Sequence, residues 1–197
     1  LPPWPALAVF MQWALEHLPQ AILRPFLMSF LTTALAPSPA IFDQGAILIN
    51  KRGRRFCDER DRPAYALPDQ PDQVAYILID ARIASLYSAW PNFVSTAPGV
   101  AYAYIPDYRR SRPDIYTAAA SLDALAHKLG MDAVALAGTV RAYNEALQAG
   151  KDAGQAAPLG VAPFTALGPV RAVFVHNEGG LKVDTEHRVL DQDARVI

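Results

Sequence analysis

Residues 121–150 read SLDALAHKLGMDAVALAGTVRAYNEALQAG, and within them two helices carry their own start and stop signals. Ser121 stands where a side-chain oxygen caps a helix, Leu122, Leu125 and Leu129 recur on one face, and Gly130 supplies the left-handed residue that ends it. Asp132 caps a second helix, in which Leu136, Val140, Tyr143 and Leu147 return at helical spacing until Gly150 closes it. Those four side chains are expected to face a core, so the rest of the chain must supply the layer they cover.

That layer is legible as short β-like runs. Val74 to Ile79 is apolar throughout, closed by Asp80, and reads as a strand buried on both faces. Ala46 to Cys57 reads as a hairpin around the polar turn Lys51 to Arg54, Ala101 to Ile105 as a short strand, and Val170 to Val175 as another. Gly179-Gly180 breaks that last run, and Leu181 to Val183 with Val189-Leu190 forms a small hairpin. Between Asp80 and Asp114, Trp90, Pro91, Pro98 and Pro106 indicate irregular structure. The expected class is α+β, a small mixed or antiparallel sheet packed with helices. No internal repeat or low-complexity tract is evident.

From Ala6 to Leu35 the chain is almost unbroken apolar. Glu16, His17 and Arg24 are costly at mid-bilayer, and Pro19 and Pro25 interrupt the run, so two helices, Ala6 to Leu18 and Gln20 to Leu35, are expected as a buried pair in place of a membrane span. A lid over a lipophilic substrate is the functional version of the same pair. With 18 basic and 19 acidic residues the net charge is -1, which excludes a nucleic-acid partner held by a broad basic field. Cys57, the single cysteine, has no internal partner, and a cytoplasmic location is the default expectation. The chain opens on Leu-Pro-Pro-Trp without Met and stops after Arg195-Val196-Ile197, which suggests a piece of a longer protein.

Three separated segments match one family in the right order. Gly45 to Asn50 followed by Gly53-Arg54-Arg55-Phe56 and Asp58-Glu59, then Leu122 to Asn144 with Gly150-Lys151-Asp152, then Gly179-Gly180-Leu181 with Asp184-Thr185, Val189-Leu190-Asp191 and Val196-Ile197, together resemble the flavoproteins that include soluble fumarate reductases, tricarballylate dehydrogenase and 3-ketosteroid dehydrogenases. The resemblance implies an FAD-dependent oxidoreductase acting on a C–C bond, of which this chain is the capping, substrate-side domain. Residues 1–44 would be a helical hairpin or lid, 45–178 the capping domain, and 179–197 the return toward a missing FAD-binding domain. None of the eleven glycines forms the Gly-x-Gly-x-x-Gly turn that seats the FAD pyrophosphate, so the chain alone is expected to bind FAD weakly or not at all.

The resemblance also implies site residues. His176, before Gly179, matches a position where a histidine contacts the substrate carboxylate or carbonyl, and Gly179 and Gly180 would let backbone N–H groups approach the flavin edge. A strand-end histidine beside a turn is the plainer alternative for His176. Glu59 is a candidate substrate contact. Arg62 and Tyr65 flank Pro63, which falls where the family places its proton-transferring Arg or Tyr, so either is a candidate and Arg60 is a solvated charge. Ala36 to Phe42 replaces charged family positions with apolar ones, an expected pocket wall for an uncharged, larger or sterol-like substrate. The histidines show no metal-ligand spacing. Against the enzyme reading stands a stand-alone binding or scaffold module without catalysis.

Overall fold

The computed structural model describes residues 9–10, 12–14, 17–33, 35–97, 101–150, 156–173 and 180–197. In chain order the elements are α1 (Gln20–Leu31), α2 (Ala40–Asp43), β1 (Ile47–Asn50), α3 (Pro63–Ala66), β2 (Ala75–Ile79), α4 (Ala81–Leu86), β3 (Ser95–Ala97), β4 (Ala101–Ala103), α5 (Ile105–Ser111), β5 (Tyr116–Ala119), α6 (Leu122–Leu129), α7 (Ala133–Gln148) and β6 (Phe164–Val170). The apolar run ahead of Asp80 has the most surface to bury, and as β2 it takes an inner seat in a four-stranded sheet of order β1-β2-β6-β5, buried at every position. All three pairings are antiparallel, with Ile47 opposite Leu78, Ile77 opposite Leu167 and Thr117 opposite Ala166. A smaller sheet pairs β3 with β4.

The two helices expected within residues 121–150 form with their caps in place. Ser121 Oγ accepts from Ala124 N at 3.1 Å, and Asp132 Oδ1 accepts from Val134 N at 2.9 Å and Ala135 N at 3.1 Å. Gly130 sits at φ 64, and Met131 N donates back to Ala126 O at 2.9 Å. Leu136, Val140 and Tyr143 are buried and Leu147 packs against the same core from a half-buried position. Thr139 Oγ1 donates to Gly53 O at 2.8 Å, tying α7 to the turn after β1. Asn144 clamps the chain ahead of β6, donating to Leu159 O and accepting from Leu159 N, both at 2.8 Å.

The apolar N-terminal stretch joins this body. Met28 lies in the same core cluster as Ile77 and Leu136. Arg24 donates to Asp107 at 2.6 Å and to Tyr102 O at 3.3 Å and lies over the Tyr104 ring. Arg112 donates to Thr32 O at 2.7 Å, satisfying a carbonyl that the end of α1 leaves without a helical partner. Among the described residues no helix is long and apolar enough to cross a membrane. The helix expected over Gln20 to Leu35 ends at Leu31, and of the one expected before it residues 9–10, 12–14 and 17 are helical.

Several expectations change. The hairpin over Ala46 to Cys57 reduces to one bridge, Ile49 with Arg55, because Asn50 Oδ1 closes a tight turn by accepting from Arg52 N and Arg54 N, and the long partner of β1 is β2. The strand expected at Val170 to Val175 is displaced: β6 is Phe164–Val170, residues 171–173 lie outside any strand, and 174–175 fall outside the described residues. Phe164–Val170 fills the place between β2 and β5 where both need a partner. Opposite Gly168 the ladder shifts register, and a Cβ on that glycine would stand 2.7 Å from the Tyr76 ring. The strand at Ala101 stops at Ala103, since Tyr104 N donates to Asp107 and opens α5. In the stretch expected to wall a pocket, Ile41 and Phe42 are part of the core cluster, while Ala36 lines a cleft. A short repeat is also present: Asp184 Oδ1 accepts from Glu186 N and Arg188 N, Asp191 Oδ1 from Asp193 N and Arg195 N, and His187 and Ala194 both adopt φ 62. The expected small hairpin appears there as the bridge between Val183 and Val189.

Candidate functional site

A strap from Arg55 to Gln73 crosses from β1 to β2 and carries three of the candidate residues. Its anchor is Glu59, 7% exposed, which accepts from Leu48 N at 2.8 Å and from Arg55 Nε and NH2 at 3.0 and 2.6 Å. Arg55 in turn lies 4.9 Å from the Tyr143 ring centroid, so the carboxylate, the guanidinium and α7 form one stack. Hydrogen bonding to Glu59 raises the Arg55 pKa, and burial raises that of the Tyr143 phenol. Glu59 therefore faces inward, with its oxygens engaged by the chain itself.

Cys57, between them, is half-buried, and burial, helped by the Glu59 charge, pushes its thiol up to about 11. The thiolate is the reactive form, so at pH 8 the reactive fraction is roughly a hundredfold or more below that of a free cysteine. Alkylation by iodoacetamide at pH 8, followed by mass spectrometry, is expected to leave Cys57 largely unmodified in the folded chain and to modify it fully in urea. Equal rates in both would show that the strap does not shield it.

Beyond Glu59 the strap turns outward. Arg62 adopts φ 48, ψ 55, left-handed for a residue with a Cβ, and caps α3, with Tyr65 N donating to its carbonyl at 3.0 Å. That conformation costs on the order of 1 kcal/mol and orients the exposed Arg62 and the 70% exposed Tyr65 at one end of the strap. The far end is held by Asn50 Nδ2 to Gln70 Oε1 at 3.1 Å and by the Lys51–Asp72 ion pair. Tyr65, Ala64 and Pro68 form one wall of a cleft of about 310 Å³, and Ala172 and Val173 form the other. His176 and Gly179 lie outside the described residues, and Gly180 is exposed, with no described residue beyond its chain neighbours within 4 Å of where its Cβ would be. The structure thus places Tyr65 on a cleft and Glu59 in the interior, and Arg60, exposed, pairs with Asp58 at 3.6 Å.

Asp80, read only as the end of a strand, is fully buried and links three segments: it caps α4 through Ile83 N at 3.1 Å and accepts from Gly160 N and Val161 N at 3.2 Å. No pattern in the sequence singles it out beyond its place before a helix. The Arg55–Glu59 pair stands four residues apart outside any helix, and only the fold of the strap brings the two together. Among the described residues no cluster of His, Cys, Asp or Glu could hold a metal ion.

These features define the class: an α+β unit on an antiparallel sheet with an apolar cleft of small-molecule size open at its surface. The chain belongs to the FAD binding domain family, whose model matches residues 10–197. It is 30% identical over 174 residues to the NADH:fumarate oxidoreductase of Klebsiella pneumoniae (strain 342), a match that covers 84% of this chain and 17% of that one. A solved flavocytochrome c3 fumarate reductase in its open conformation superposes with a TM-score of 0.53 at 27% identity, covering 81% of this chain and 27% of that one. The 3-ketosteroid delta1-dehydrogenase of Sterolibacterium denitrificans shares the fold, with a TM-score of 0.53, 23% identity and coverage of 77% and 31%. The chain spans less than a third of the length of each. FAD is the cofactor that the family match indicates.

Proposed function

We propose that this chain is the substrate-side, capping part of an FAD-dependent oxidoreductase acting on a C–C bond. The observation that carries the reading is Tyr65 on an apolar cleft whose opposite wall, Ala172 and Val173, leads along the chain to His176. When bound by the complete protein, the flavin supplies or accepts the hydride at one substrate carbon. The chain's own residues handle the rest. Tyr65 or Arg62 exchanges the proton at the neighbouring carbon, and His176 donates a hydrogen bond to the oxygen on which charge develops. Gly179 and Gly180 suit close approach of the backbone to the flavin edge, and at Gly180 no described residue beyond its chain neighbours lies within 4 Å of where a Cβ would be.

Glu59 is assigned a positioning role, since holding Arg55 and the Leu48 N–H sets where the strap leaves the core and hence where Arg62 and Tyr65 stand. Residues 1–44 serve as the lid side of the unit and 179–197 as the return toward the flavin-binding half. Without a Gly-x-Gly-x-x-Gly turn, the chain by itself should retain little flavin. The test is made in the intact flavoprotein with His176→Ala, Arg62→Ala and Tyr65→Phe. His176→Ala and one of the other two are expected to lower kcat by roughly a hundredfold or more with FAD content unchanged. Wild-type kcat per bound flavin in all three variants would remove the proposal.

A further inference from the structure

Residues 169–173 have a second open side. There Thr33, Leu35, Ala36, Arg112 and Ile115 face Pro169, Val170, Arg171 and Val173 across a cleft of about 440 Å³. Val173 belongs to the walls of both this cleft and the one that holds Tyr65. Most of the lining is apolar, and the two arginines on it differ in what they already hold.

Arg112 is committed. It donates from Nε and NH2 to the two oxygens of Asp114 at 2.9 and 2.8 Å and from NH1 to Thr32 O and Thr33 O at 2.7 and 3.4 Å. With Asp114 it forms a neutral pair. Arg171 is exposed, and among the described residues its guanidinium makes no hydrogen bond or ion pair. Asp72, on which Arg171 acts electrostatically, is already paired with Lys51, so among the described residues these three side chains sum to one positive charge.

We infer that the substrate of the proposed site is an apolar monoanion, its body lying along Val173 toward Tyr65 and its carboxylate or comparable oxyanion held by the fork of Arg171. This rests on the capping-domain reading above. A guanidinium presents paired N–H donors that match a planar carboxylate, and no described residue would have to be displaced from Arg171 to bind one. A small diacid fits less well, since its second carboxylate would meet Leu35, Ile115, Val170 or Val173, where a desolvated charge is costly. A wholly uncharged ligand would draw nothing from the Arg171 charge.

The probes are trans-cinnamate, trans-cinnamamide and fumarate, titrated into the 197-residue chain at low salt and followed by amide chemical shifts of Ala64, Ala172 and Val173. The expected result is a Kd for cinnamate at least tenfold below those of cinnamamide and fumarate. Arg171→Gln should erase the preference over cinnamamide without changing the Kd of cinnamamide, and Arg171→Lys should restore part of it. Equal binding of cinnamate and cinnamamide, or a preference that survives Arg171→Gln, overturns the inference. If the two probes bind equally and still shift Ala64 and Val173, the Tyr65 cleft stands and only the anion assignment falls. If no probe shifts these residues, the cleft reading falls with it.

Discussion

Glu59→Ala is expected to lower the free energy of unfolding by about 3 kcal/mol, the range seen when one partner is removed from a buried ion pair. The Leu48 N–H, inside the sheet, loses its acceptor, and Arg55 loses the carboxylate that holds it over Tyr143. In a chain of this size the melting temperature should fall by roughly 10 °C. Glu59→Gln keeps an acceptor for Leu48 while removing the charge, so its loss should be about half as large. Thermal and urea melts of the two variants decide between the positioning role and a direct substrate contact. A substrate contact would leave both melts at wild type and change only KM.

Gly45→Ala should cost a comparable amount, about 3 kcal/mol, through two additive causes. Gly45 adopts φ 103, a conformation that residues with a Cβ rarely reach, and a Cβ there would stand 2.5 Å from the backbone oxygen of Ala157. The obstacle is main chain and cannot swing aside as a side-chain end would. Displacing Ala157 also disturbs the Arg82 guanidinium, which donates to both Gln44 O and Ala157 O, and strains the neighbouring clamps at Leu159 and Gly160. Gly138→Ala is the matched control: it lies within α7, its Cβ would meet nothing within 4 Å, and the substitution should stabilise by roughly 0.5–1 kcal/mol. Similar melts for the two variants would mean that Ala157 yields freely and the contact is unimportant.

Both substitutions act on parts of the chain that differ in how openly the sequence displays them. Gly45 was part of a quoted family segment, but its reason, the carbonyl of a residue more than a hundred positions away, is not local. Glu59 was singled out as a substrate contact from a family segment, and in the fold its oxygens accept from Leu48 N and from Arg55. Tyr65 was chosen from its place near a family position, and it does line a cleft; the walls that make it one, Ala172 and Val173, come from the other end of the chain.

Local chemistry sets α6, α7 and their ends, since Ser121, Gly130 and Asp132 act through hydrogen bonds spanning a few residues. The sequence alone also sets the burial of Ala75 to Ile79, because an uninterrupted apolar run has no other favourable environment in water. Long-range packing sets where β6 begins, at Phe164, and its place between β2 and β5, the entry of Phe42 into the core and the inward turn of Glu59. Each of those outcomes depends on a partner distant in sequence: a strand takes whichever edge offers unpaired N–H and C=O groups, and a carboxylate is buried only where donors converge on it. Such partners are brought together by the packing of the whole chain, and no window of sequence contains them.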